Sequence, residues 1–169
     1  TPDMAIVDSE LMMSSPKGLT ACAGIDVLVH AMEAYVSIMA SEYTNGMALE
    51  AIRLVFKYLP LAYSEGTTNI KAREKMAHAS CIAGMAFSNA LLGIVHSMAH
   101  KTGAAFADYG NGAHIIHGAA NAMYLPKVIE YNAKDETAAK RYDDIAAHMG
   151  IQGATPAESV KNLIAYLRK

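Results

Sequence analysis

"GIDVLVHAMEAY", residues 24–35, is an almost wholly apolar run that carries two acids and an imidazole, Asp26, Glu33 and His30. Its Ala, Leu, Met and Glu are strong helix formers. On a helix, the four-residue spacing puts Asp26 and His30 on one face, with Glu33 close to it. A carboxylate on the buried side of a helix is costly unless something offsets its charge.

The same composition continues through the chain. Its 169 residues are 53% hydrophobic, enough for one domain with a sizeable core. Aromatic residues make up 7%, Trp is absent, and Ala, Met, Leu, Glu and Lys are abundant, so the expected fold is all-α. After an extended lead-in and turn to about residue 16, helix one is expected from about Leu19 to Met39. Helix two spans about Asn45 to Ser64, with Ala48, Ala51, Ile52, Val55, Leu59 and Ala62 at 3–4 spacing, and Pro60 kinking or shortening its end. Helix three starts near Ile70 behind the N-cap Asn69, with a stripe of Ala72, Met76, Ala79, Ala83 and Ala86 suited to close packing. "NALLGIVHSMAHKTGAAF", residues 89–106, reads as a further helical segment, with Gly93 in mid-helix marking close backbone approach.

"ADYGNGAHIIHG" is the one clear loop, leading into a helix from about Ala119 to Tyr131 that Pro126 interrupts or bends. Two amphipathic segments follow. "KDETAAKRYDDIAAHMG" stops at Gly150, and "TPAESVKNLIAYLRK" opens on an N-cap Thr155, a proline at the first helical position and Glu158 in capping-box position.

A net charge of -2, with scattered Lys and Arg, excludes the electrostatic footprint of a nucleic-acid or anionic-membrane binder. No apolar run reaches the roughly 18 uninterrupted residues of a membrane span, so a cytoplasmic protein is expected. Cys22 and Cys81 read as buried free thiols of a reducing compartment. The chain starts without Met and ends on "YLRK" with an amphipathic pattern still running, so a piece of something longer is expected.

Five of the seven histidines, His30, His96, His100, His114 and His117, fall in three short segments, while His78 and His148 look incidental. His96 and His100 leave one helix face, as Asp26 and His30 do on theirs, so two helices can oppose imidazoles and a carboxylate. Such a pocket suits a borderline divalent transition metal. Spacing alone makes His100 a ligand as readily as His96. There is no HExxH, GxSxG, P-loop or GxGxxG pattern, so hydrolytic triads and autonomous nucleotide binding have no motif to stand on. Met32, Met39, Met76 and Met85 read as core filler, and Tyr35 and Glu33 as a packing residue and a capped or solvated acid.

Three ordered blocks then resemble a known family. "GIDVLVHAMEAYVS" is similar to Gly-x-Asp-Ala-x-x-His-x-x-Glu-Ala-Tyr, "HSMAHKTGA" to His-x-x-x-His-x-x-Gly, and "HGAANAMYLPKVIEYN" to His-Gly-x-x-Asn-Ala-x-x-Leu-Pro-x-Val-x-x-Tyr-Asn of the iron-containing (group III) alcohol dehydrogenases. The match is to their C-terminal, dehydroquinate-synthase-like helical domain, most nearly in the alcohol dehydrogenase half of bifunctional aldehyde-alcohol dehydrogenases. The resemblance implies Fe2+, or Zn2+ in some members, held by Asp26, His30, His96 and His117, with His100 beside substrate and nicotinamide as a proton-conducting catalytic residue. It implies reversible hydride transfer between a small alcohol or aldehyde and NAD(P).

The chain departs from the pattern between His100 and His117, where the loop is longer and Ile116 replaces the usual Pro. This makes His114 a competitor for the last ligand position, although "HGAANA" runs on continuously from His117. The α/β half that carries the Gly-rich pyrophosphate turn is expected in a parent protein, and residues 1–169 then form the metal-binding helical domain, in a homo-oligomer or packed against that half. The alternatives are a helical assembly module with a degenerate site, a polyol or lactaldehyde-type reductase, and a dehydroquinate-synthase-like lyase. Asp26 paired with His30 speaks against the last.

Overall fold

The computed structural model describes residues 3–106 and 115–168. The described residues form a 3-10 turn at Ser9–Met12 and seven helices: α1 Lys17–Val36, α2 Glu42–Ser64, α3 Ile70–Ala90, α4 Ile94–Ala105, α5 His117–Asn132, α6 Glu136–His148 and α7 Pro156–Leu167. No strand occurs among them, and the all-α expectation holds.

Helix α1 is the hub. It touches α2, α3, α4, α5 and α6, and its buried residues, from Gly24 and Val27 through Val29, Ala31 and Met32 to Tyr35, point in every direction. A helix that is apolar all round belongs inside a bundle. By length and composition α1 could cross a membrane (mean hydropathy 1.3), yet half of that window is buried inside the protein.

Helix α2 packs on α1 and, more extensively, on α3. The small-residue stripe of α3 makes this close approach: Ala72, Ala79, Ala83 and Ala86 are all buried. Arg73, also buried, ties the corner of the bundle by donating to Gly66 O (3.0 Å), Thr20 Oγ1 (2.6 Å) and Ser15 O (2.9 Å). Helix α7 packs against α6 and α5.

Several boundaries differ from the expectations. Ser41 caps α2 in a reciprocal capping box with Thr44, so the helix begins at Glu42, earlier than Asn45, while Ser37–Ala40 form the turn before it. Both α2 and α5 run past their prolines, Pro60 and Pro126, each at the cost of one backbone hydrogen bond. Asn69 and Thr155 cap their helices as expected. Glu158 reaches back to Ala154 N (2.9 Å), one residue before the cap. Gly150 sits at φ +70 after α6, the left-handed conformation that favours glycine. Met39 and Met85 are exposed rather than core filler, and the free thiols of Cys22 and Cys81 are partly buried and exposed, respectively.

The largest difference lies at residues 89–106. The chain does not continue as one helix: α3 ends at Ala90, Leu91 takes φ 65 and ψ -179, and α4 restarts at Ile94 at 103° to α3. Leu91 occupies backbone space that is normally reserved for glycine, a strain of about 1–3 kcal/mol. Gly93 is the N-cap of α4, not a mid-helix residue.

Helix α5 begins directly on the backbone of α1. A Cβ added at Gly118 would lie 2.0 Å from Cys22 O, whereas one at Gly84 in α3 meets nothing within 4 Å. Gly118→Ala is therefore expected to destabilise the chain by roughly 1–3 kcal/mol, and Gly84→Ala to stabilise it by about 0.5–1 kcal/mol. Urea unfolding followed by circular dichroism measures both, and equal effects of the two substitutions would contradict the packing described.

Candidate metal centre

Three helices deliver the site. Asp26 and His30 come from the middle of α1, His96 and His100 from α4, and His117 is the first residue of α5. The approach at Gly118 brings His117 onto α1, and the break at Leu91–Gly93 turns α4 back across it. The hydroxyls of Thr102 and Tyr124 bond at 2.6 Å, joining α4 to α5.

Asp26, His96 and His117 converge. One donor atom from each lies within 4.8 Å of the others, and the Nε2 atoms of His96 and His117 both stand 3.3 Å from Asp26 Oδ1. Bonds of roughly 2.0–2.1 Å to a tetrahedral ion imply donor separations of about 3.3–3.4 Å, so these spacings and this donor set suit a divalent transition metal.

His30 stands beside the group rather than in it. Its Nδ1 faces the other carboxylate oxygen, Asp26 Oδ2, at 3.7 Å, and its ring is stacked between Phe87 (4.4 Å) and His96 (4.2 Å). His100 is exposed, stacked on His117 at 4.8 Å and edge-on to His96 at 6.0 Å. His114 lies outside the described residues. His78 and His148 are exposed on the surface.

Two residues without a sequence-assigned role complete the cluster. Asn121, fully buried one turn after His117, donates from Nδ2 to Asp26 Oδ1 (2.6 Å), and the same nitrogen lies 3.4 Å from His96 Nε2 and 3.2 Å from His117 Nε2. The acceptor-only carboxylate of Asp26 fixes the amide in this sense, which leaves Asn121 Oδ1 buried without a partner. One polar hydrogen donor thus faces three groups that a cation would also attract. Its spacing of four from His117 is the signal that would have found it.

Glu33 is the second. Only 7% of its side chain is exposed, and its carboxylate accepts from Val95 N (2.7 Å) and His96 N (3.4 Å) while meeting His96 Nδ1 at 2.7 Å. It is not a solvated acid: its partners are the first amides of α4 and the His96 ring. Its place seven residues after Asp26, two helical turns along the same stripe, was the available signal.

The protonation pattern follows from burial and these contacts. Burial pushes His30 down to about 4, against the pull of Asp26, so the ring is neutral near pH 7. Burial also acts to lower His96, but its hydrogen bonds to Asp26 and Glu33 outweigh it and raise the ring to about 9. His117 is lowered, first by burial. Burial would raise Asp26, yet the hydrogen bond with His96 and the neighbouring imidazoles hold it below its usual value. A cavity of about 520 Å³ adjoins Asp26 and His30, lined by Val27, Met76, Phe87 and Arg73 among others.

Because His30 has a lower pKa folded than unfolded, its contribution to stability is complete above about 6.5 and is lost as pH falls from there towards 4. His30→Phe retains the stack but cannot titrate. With chelator present, this variant is expected to unfold at lower pH than the native chain in acid titration by circular dichroism; an unchanged midpoint would contradict the buried neutral assignment.

Residues 20–169 match the model of the Fe-containing alcohol dehydrogenase family, C-terminal. An aldehyde-alcohol dehydrogenase of Clostridium acetobutylicum is 52% identical over 177 aligned positions, covering 97% of this chain and 20% of that protein. An NADPH-dependent butanol dehydrogenase of Clostridium saccharobutylicum is 50% identical, covering 100% of this chain and 40% of the relative. The crystal structure of a 1,3-propanediol oxidoreductase superposes with a TM-score of 0.85 at 42% identity, over 95% of this chain and 40% of that one. The chain thus spans a fifth to two fifths of the length of these relatives. With the family model covering nearly all of it, the chain belongs to the Fe-containing alcohol dehydrogenase family and corresponds to the family's C-terminal, helical part.

Proposed function

We propose that this chain is the metal-holding helical domain of a metal-dependent alcohol dehydrogenase that interconverts a small alcohol and its aldehyde with NAD(P). The observation that carries the reading is the convergence of Asp26, His96 and His117 from three helices at separations that match one divalent ion. His30, beside Asp26 and stacked on His96, would be the fourth ligand. Fe2+ is the family's metal and Zn2+ fits the same donors. Zinc in a purified sample would not identify the physiological ion, since these donors hold it more tightly than iron.

Bound there, a divalent cation would supply Lewis acidity to an alcohol or aldehyde oxygen. The chain's own residues do the rest. Phe87, Val27 and Met76 present an apolar wall beside Asp26 and His30, which suits the carbon chain of a small alcohol and excludes water. His100, exposed and stacked on His117, carries the alcohol proton between the site and solvent. No residue of this chain is assigned to NAD(P), whose binding part belongs to the remaining length of the parent. A helical assembly module is the second reading, and the exposure of Ile6, Leu11 and Ile38 supports it.

Anaerobic titration with Fe2+ and with Zn2+ separates the two readings. One equivalent of either ion is expected to bind, with affinity reduced more than about 100-fold in His96→Ala and in His117→Ala and little changed in His114→Ala and His100→Ala. Absence of a tight site, or a site lost with His114→Ala instead, would favour the assembly module.

A further inference from the structure

The carboxylate of Glu33 stands outside the converging donors and meets the cluster only through His96, on the ring edge away from Asp26. It is buried beside a buried imidazole, with 7% and 3% of the two side chains exposed, and faces three N–H positions of α4. Two of these, Val95 N and His96 N, belong to the first turn of α4, whose amides have no partner within the helix. The N-cap of α4 is Gly93, which has no side chain to satisfy them. An acid from α1 takes over that task across the helix interface, and the positive end of the helix dipole favours it there.

Glycine at the cap leaves the room for this approach. A Cβ on Gly93 would stand 2.8 Å from Glu33 Oε1. The same carboxylate holds His96 Nδ1 at 2.7 Å, and on the other side of the ring Nε2 points to Asp26 Oδ1 at 3.3 Å. Both carboxylates accept and cannot donate, and the Glu33 contact is the shorter, so in the neutral ring the hydrogen sits on Nδ1 and the Nε2 lone pair is left for the centre of the cluster.

We propose that Glu33 is a positioning residue that sets the ring orientation and tautomer of His96 for metal ligation through Nε2, while closing the start of the helix that carries His96 and His100. This rests on the reading of His96 as a ligand. Gly93 belongs to the same device, as the residue whose missing side chain admits the carboxylate.

Glu33→Gln distinguishes positioning from simple capping. If the amide oxygen stays on Val95 N–H, its NH2 group faces His96 Nδ1 and drives the hydrogen to Nε2. Turned over, it keeps the tautomer but sets NH2 against Val95 N–H. One isosteric side chain cannot serve both partners.

The experiment combines zinc affinity, by chelator competition, with nitrogen NMR of histidine-labelled chain. Zinc binding by Glu33→Gln is expected to weaken by about 10–100-fold. In the metal-free chain, at a pH where the ring is neutral, the native protein is expected to carry the His96 hydrogen on Nδ1 and the variant on Nε2. Native-like zinc affinity together with an unchanged tautomer in Glu33→Gln overturns the proposal, as does a native chain whose hydrogen sits on Nε2. Should Glu33→Gln fail to fold, Gly93→Ala, which pushes the carboxylate away, is expected to weaken zinc binding where Gly84→Ala does not; equal affinities overturn the proposal. A native chain that takes up no zinc refutes the metal reading itself, and the tautomer comparison then decides the role of Glu33 alone.

Discussion

A stripe of Asp26, His30 and Glu33 runs along the half of α1 that lies inside the bundle, and the architecture answers the cost of that stripe. A carboxylate inside a bundle must meet hydrogen-bond donors or a counter-charge. Here α4 and α5 supply them. Glu33 receives the first amides of α4 and one nitrogen of His96, and Asp26 receives the amide of Asn121 with His96 and His117 close by. The charges then suit the chemistry. Two carboxylates and neutral imidazoles would balance a divalent ion, and the raised affinity of His96 for a proton offsets part of the same negative charge.

Two glycines and one strained leucine make this possible. Gly118 lets α5 touch the α1 backbone, Gly93 admits the Glu33 carboxylate, and Leu91 turns the chain through a conformation that would suit glycine better. The strain at Leu91 sits two residues before the α4 cap, at the corner that aims His96 inward. A local cost next to a chemically demanding site is a common exchange in proteins.

The all-α class, the number and order of helices and the caps at Asn69 and Thr155 were legible in the sequence, because helix propensity, small-residue stripes and capping side chains act locally. The break at residues 91–93 was not, because the one glycine of "LLG" reads equally as a mid-helix residue, and the start of α4 is met by an acid 62 residues before Val95. Among the proposed site residues, the i,i+4 rule placed Asp26 with His30 and His96 with His100, but it could not tell that His96 turns inward while His100 faces solvent. Asn121 and Glu33 lie at helical spacings from His117 and Asp26, yet an amide and an acid at such positions are ordinary until the partner helices are in place.

The central claim is that three helices of this chain form one divalent-metal site around Asp26. The most direct test is anomalous X-ray diffraction at the zinc edge from crystals of the zinc-loaded chain. The account predicts a single peak bonded to Asp26, His30, His96 and His117 at roughly 2.0–2.2 Å, with His100 outside bonding distance. A peak on His100 or His114 without Asp26, or none within this cluster, would contradict it.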